Sequence, residues 1–251
     1  MTYGTIPIAG GDTATPRNLA ARLAVIARHV TLDSATMLDA GCGAGEYVEG
    51  LERLGADVRG VEYLTHNVEA WAARHPTDGR VSEGDISRLP FPNAAFDIVL
   101  LNEVLEHVPN ESAVLTEVRR VLRPGGTLIL FAPNRRYPFE THGLERNGRI
   151  PPLKTFGLPW LPVSLVERLG FHAWARNYWP GRLRDLLTEH GFGITAHDYL
   201  WQTFENISGQ QPRLIRLLAP LLRLTAKVAQ RVPLVRSVGA SQVLVAVTRQ
   251  Q

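Results

Sequence analysis

Apolar positions along the chain change period repeatedly, and each change marks an element. Between Thr15 and Val30, Leu19, Leu23, Ile26 and Val30 fall at helical spacing, and Pro16 suits a first turn. Ala35–Ala40 is a short apolar run that opens into Gly41-Cys42-Gly43-Ala44-Gly45. A helix is predicted over Glu46–Leu54, closed by Gly55, then a strand over Asp57–Tyr63 and a helix over Thr65–Arg74 that stops before His75-Pro76. Strands follow at Arg80–Gly84 and Phe96–Leu101, then a helix over Ser112–Leu122, halted by Pro124-Gly125-Gly126, and a strand over Thr127–Ala132. Strands that are apolar almost throughout are buried on both faces. Alternating with helices over short connections, they predict an α/β fold with a doubly wound, mostly parallel sheet that binds ligands at the carboxyl ends of its strands.

The alternation stops at Asn134. Arg135–Tyr178 holds prolines at 151, 152, 159 and 162 and a run of aromatics that begins with Phe156, Trp160 and Phe171. It is predicted to be an irregular insertion with short helices. A helix over Gly181–His190, a strand over Ile194–Trp201 and a last strand over Gln242–Thr248 resume the pattern. A second insertion, Glu205–Ser237, precedes that last strand. The expected organisation is therefore one domain over residues 1–251, carrying an acceptor-binding or lid insertion at 135–180 and a basic amphipathic insertion at 205–237.

Three glycines at spacing two, straight after a strand and opening a helix, allow a tight turn and close approach of a ligand. The spacing is not the Gly-x-Gly-x-x-Gly of dinucleotide binders, and Glu46 at the helix start disfavours a pyrophosphate. No Gly-Lys-Ser/Thr follows, which excludes a P-loop. An adenosine cofactor without phosphates fits better. Glu62 ends the second strand, where a carboxylate can accept from both ribose hydroxyls. Asp85 ends the third and can accept from an adenine amino group, with the Ile86 backbone at the ring edge.

These residues resemble class I S-adenosylmethionine (SAM)-dependent methyltransferases. Phe96-Asp97-Ile98-Val99, Asn102-Glu103-Val104-Leu105-Glu106-His107-Val108-Pro109 and Val121-Leu122-Arg123-Pro124-Gly125-Gly126 point to the type 11, quinone-biosynthesis-like branch. The resemblance covers about residues 35–134. It implies a Rossmann-like sheet of seven strands whose last, Gln242–Thr248, runs antiparallel. It implies SAM as cofactor, with Asp39, Gly41, Cys42, Gly43 and Gly45 bordering its methionine part. Glu62 would hold the ribose, Tyr63 would lie beside the adenine, and Asp85 and Ile86 would hold that ring. Asn102 and Glu103 would line the methyl side.

Methyl transfer is an in-line displacement, so positioning supplies much of the rate. A hydroxyl acceptor also needs its proton removed, and histidine suits that role near neutral pH. His107, after the fourth strand, and His142, beyond the fifth, are the candidates, with Glu140 as a backup. In 135–178, seven basic residues, among them Arg135 and Arg136, stand beside aromatics against three acids, Glu140, Glu145 and Glu167. That mixture suits a sugar ring, a quinone or polyketide ring, or a phosphate-bearing lipid. The expected activity is SAM-dependent methylation, directed to oxygen, of a lipid-linked, glycosylated or bulky apolar acceptor. A soluble natural product or quinone-like ring methylated on oxygen or carbon, and a SAM-binding scaffold without catalysis, are the other readings.

Composition narrows the rest. The single cysteine, Cys42, excludes an internal disulfide, a zinc ribbon and an iron–sulfur site, and the scattered histidines give no metal-ligand spacing. No run of about 18 apolar residues is free of charge, and the first residues lack a signal-peptide pattern, so the expected compartment is the cytoplasm. The net charge of +3 conceals an asymmetry, for no Asp or Glu occurs from Asn206 to Gln251. On a helical wheel from Arg213, at about 100° per residue, Arg216, Arg223, Lys227 and Arg231 fall within about 80° of one another. Leu214, Leu217, Leu221, Leu224 and Val228 lie beside them, with Pro220 as an expected kink. Residues 213–231 thus have the pattern of a helix on an anionic membrane surface, which would put the protein peripherally on the inner face of the membrane. Packing on the body and a homodimer contact are the alternatives. No nucleic-acid motif is present.

Overall fold

The computed structural model describes residues 19–140, 144–145, 156–173, 175–201 and 213–249. His142 and the stretch 205–212 lie outside them.

The first half of the chain lays down α1 (Leu19–His29), β1 (Thr36–Ala40), α2 (Glu46–Glu52), β2 (Asp57–Glu62), α3 (Thr65–Arg74), β3 (Val81–Glu83), β4 (Phe96–Asn102), α4 (Glu111–Val121) and β5 (Leu122–Pro133). The first insertion contributes β6 (Leu144–Glu145), a 3-10 turn at Leu158–Trp160, α5 (Val163–Arg168) and β7 (His172–Ala173), with β6 and β7 paired antiparallel. Then come α6 (Pro180–Glu189), β8 (Phe192–Leu200), α7 (Arg213–Ala229), α8 (Pro233–Arg236) and β9 (Ser241–Thr248). The main sheet has seven strands in the order β3-β2-β1-β4-β5-β9-β8. Neighbours from β3 to β5 are parallel, while β9 lies antiparallel to both β5 and β8.

Successive strand residues point to opposite faces, and two cores result. Met37, Ile98, Leu100, Ile129 and Phe131 face α1, α2 and α3. Leu38, Val99, Leu101, Leu128 and Leu130 face α4 and α6, which bring Val114, Leu115 and Val118 and Leu183, Leu186 and Leu187. The central strands are buried on both faces, which is why they read as continuous apolar runs.

Several boundaries shift by a residue or two, as at β8, which runs Phe192–Leu200 rather than Ile194–Trp201, and one difference has a structural cause. Leu122 ends no helix; it already pairs with Phe96, and the ladder resumes at Thr127 opposite Ile98. The strand therefore begins before Pro124-Gly125-Gly126 and bulges through it. Gly125 takes φ +77°, and a Cβ on Gly126 would stand 2.8 Å from the Arg123 carbonyl oxygen, so the bulge requires glycine.

Candidate functional site

The parallel strands converge on one edge, and the loop after β1 is the tightest part of it. Gly41 and Cys42 donate their backbone N–H groups to the Val61 carbonyl, at 2.7 and 3.1 Å, and Gly45 donates to the Cys42 carbonyl. Gly43 donates to Glu62 Oε2 at 2.8 Å, while Leu64 donates to Oε1 at 2.9 Å. Glu62 is buried and stitches the two loops together, and each of its oxygens keeps a lone pair for a further donor. A Cβ on Gly45 would lie 2.2 Å from the Trp71 ring, and one on Gly41 would lie 2.6 Å from Val104. On Gly43 it would meet nothing within 4 Å. The loop is thus packed on two sides and open on the third.

Asp39, next to last in β1, has its side chain buried, and its Oδ2 has no hydrogen-bond partner. Its pKa is pushed up to about 8, first by burial and then by Glu62 and Glu46. Three carboxyl groups and a loop whose N–H donors at Gly41, Cys42, Gly43 and Gly45 are already taken make poor ground for a phosphate. They suit a cation. This matches the chemistry of an adenosyl sulfonium with its ammonium group, so the residues present fit SAM.

Other predicted residues divide. Tyr63 is exposed after β2, and Asp85 is exposed with Oδ1 accepting from the Ser87 amide and hydroxyl, both at 2.8 Å. Ile86 is buried in the core beside them. The Cys42 side chain does not face the open side. Its Sγ would stand 2.7 Å from a Cβ on Gly60, in the core beneath the loop, where burial pushes the thiol up. Only its backbone borders the loop. His107 lies at the same edge after β4, with Nε2 3.9 Å from the fully buried carboxylate of Glu106. Glu140 Oε2 accepts from the Asn177 amide at 2.7 Å.

Asn102 and Glu103 are joined by a group not anticipated from sequence. Arg22 of α1 donates to Asn102 Oδ1, to Glu103 Oε1 at 2.6 Å and to Ser241 Oγ at 3.1 Å, with its guanidinium over the Phe131 ring. Its Nε is buried without a hydrogen-bond partner. Ser241 Oγ also donates to Glu103 Oε1, and the buried Tyr47 phenol bonds Asn102. Glu103 takes φ +57°, a strained conformation for a residue with a side chain. The signal for Arg22 was present: it stands three residues after Leu19 and four before Ile26, a cation on the buried stripe of an amphipathic helix.

At this edge residues of the first insertion and Trp201, just after β8, form an aromatic series. Tyr137 meets Phe139 and Trp201, Phe139 meets Phe156, and Phe156 meets Trp160, with ring centroids 5.6–6.3 Å apart. Phe156 and Trp160 are exposed at the far end. Arg135 fixes the base by donating to the Pro159 and Leu161 carbonyls, both at 2.7 Å, and lies over Trp179.

Residues 38–130 match the family described as a methyltransferase domain. The chain is 34% identical over 168 residues to the ubiquinone biosynthesis O-methyltransferase of Bradyrhizobium sp. (strain ORS 278), covering 65% of this chain and 60% of that protein. It is 34% identical over 136 residues to a probable S-adenosylmethionine-dependent methyltransferase of Mycolicibacterium smegmatis, covering 54% of this chain and 51% of that one. The chain thus spans less than two thirds of the length of these relatives. Among solved structures, an S-adenosylmethionine-dependent methyltransferase from Mesorhizobium loti superposes with TM-score 0.60 at 16% identity, over 89% of this chain and 95% of that one. A possible histamine N-methyltransferase from Thermotoga maritima does so with TM-score 0.58 at 18% identity, over 92% and 89%. At such identity these two share the fold.

Proposed function

Because residues 38–130 belong to the methyltransferase domain family, we propose that this SAM-dependent methyltransferase methylates a hydroxyl oxygen on a bulky apolar acceptor, lipid-linked or glycosylated. The observation that carries the reading is the pairing of an acidic, glycine-lined site with an aromatic wall on the same edge. Asp39 and Glu62 would hold the cofactor's cationic and ribose groups, Asp85 and Ile86 its adenine, and Asn102 and Glu103, set by Arg22, its methyl side. SAM supplies an electrophilic methyl on a sulfonium. The chain's own part is to orient, to exclude water and to take one proton. Phe139, Phe156 and Trp160 offer ring faces to a flat or apolar acceptor. The naming of relatives as ubiquinone O-methyltransferases favours oxygen over carbon or nitrogen, and supports a quinone-like phenol as the second reading.

For the proton, His107 and His142 remain the candidates. Loss of a true general base costs about 10²–10⁴-fold. The test is transfer from radiolabelled SAM to a panel of polyprenylated phenols, glycolipids and water-soluble phenols, repeated with His107→Gln and His142→Gln. Labelling of the bulky acceptors, with kcat falling by that factor in one variant and its pH profile flattening, is the expected result. Labelling of water-soluble phenols alone overturns the acceptor assignment. SAM binding without any labelling overturns catalysis and leaves the scaffold reading.

A further inference from the structure

The helix α7 turns an apolar stripe away from the protein. Leu217, Leu221, Leu224 and Val228 are 77%, 56%, 59% and 53% exposed, whereas Ala226 is 5% exposed. At about 100° per residue, Ala226 lies nearly opposite the centre of that four-residue stripe. At Ala226 the helix rests on the body, and it offers Leu217, Leu221, Leu224 and Val228 to its surroundings. Lys227 beside the stripe and Arg231, two residues past the end of α7, are both exposed, and no acidic residue occurs after Glu205. No helix among the described residues is long and apolar enough to cross a membrane.

Topology places this face. β8 ends at Leu200, opposite Ser241, and Ser241 is also opposite Pro133 at the end of β5. The α7–α8 excursion accordingly leaves and rejoins the sheet at the edge that carries the glycine loop. Its return is tied to the site: Asn134 Nδ2 donates to the Ser237 and Gly239 carbonyls, and Ser241 Oγ meets Glu103.

We propose that α7 lies on an anionic lipid bilayer, its leucine stripe among the acyl chains and its cations at the headgroups, so that the cofactor edge is held at the membrane surface. A helix with an apolar stripe, a basic edge beside it and too little length to span is the form such binding takes. A second copy of the chain is the competing occupant, but it would bring the same cations against these ones.

The proposal concerns α7 alone, so its failure is distinct from failure of the methyltransferase reading. The full chain is spun with phosphatidylcholine vesicles and with phosphatidylcholine–phosphatidylglycerol vesicles, as wild type, as Lys227→Glu/Arg231→Glu and as Leu221→Ser/Leu224→Ser. All four substituted positions are exposed, and calorimetric SAM binding serves as the check on folding. Wild type should pellet with the anionic vesicles, less so as salt rises, and each double variant should lose about tenfold or more of that binding while keeping SAM affinity. Absence of wild-type pelleting with anionic vesicles overturns the proposal. So does equal pelleting of wild type and charge-reversed protein, or a wild-type dimer in sedimentation that Leu221→Ser/Leu224→Ser dissolves without any vesicle binding.

Discussion

Asp39 holds its proton to about pH 8 because burial comes first and Glu62 and Glu46 add to it, whereas an unfolded aspartate titrates at about 3.9. Between those values the folded protein binds a proton that the unfolded chain has lost. The stabilisation is complete below about pH 4 and disappears as pH rises through about 8. Ligand-free Asp39→Asn should therefore melt increasingly above wild type as pH goes from 5 to 9, by scanning calorimetry. A cationic ligand favours the ionised form, so SAM binding near neutral pH should release a proton from wild type and not from Asp39→Asn. Titration in buffers of different ionisation heat measures that release, and the variant should bind about tenfold more weakly at high pH. The glycines give a second contrast. Gly43→Ala has open space and meets only the left-handed backbone penalty of roughly 1–2 kcal/mol, so it should fold yet lose cofactor affinity. Gly45→Ala drives a methyl into Trp71 and should fail to give stable protein; circular dichroism and calorimetry together separate the two. Asp39, the glycines and Glu62 were readable because they sit at strand tips in one short stretch. A cation at Arg22 on the buried stripe of α1 was visible too, but what it joins was not, since its partners lie 80 and more positions away.

Among elements, α4 shows how local sequence and packing combine. Asn110 Oδ1 accepts from the Ala113 amide at 3.1 Å, capping a helix that buries Val114, Leu115, Val118 and Val121. Asn110→Ala should cost about 1 kcal/mol, read as a fall of about 2–4 °C in melting temperature, with SAM affinity unchanged. The helix and its cap are local facts, and periodicity found them. The start of β5 is not local. Leu122 joins the strand because Phe96 stands opposite it, and the bulge at Pro124-Gly125-Gly126 exists because the ladder continues beyond. The same limit applies to α7: its amphipathic pattern is visible in the chain, but which side meets the body depends on where the sheet edge lies.

At the scale of the whole molecule, a ligand that binds only the folded state stabilises it by mass action. At about a hundred times its dissociation constant the gain is about 2.7 kcal/mol, so saturating SAM or its demethylated product should raise the melting temperature by about 5–10 °C. A pyridine dinucleotide should raise it by nothing measurable, because the loop has few free amide donors and three carboxyl groups face the site. The sequence by itself determined the strand–helix alternation, the glycine turn, the acids at the strand tips and the basic, acid-free end of the chain, because hydrophobic period and turn chemistry act over a few residues. Only the tertiary structure decided that Arg22 and Ser241 join Asn102 and Glu103, that Cys42 points into the core, that five rings line up at the sheet edge and that α7 turns Leu217, Leu221 and Leu224 outward. Those outcomes depend on which distant strands become neighbours, and local spacing carries no record of that.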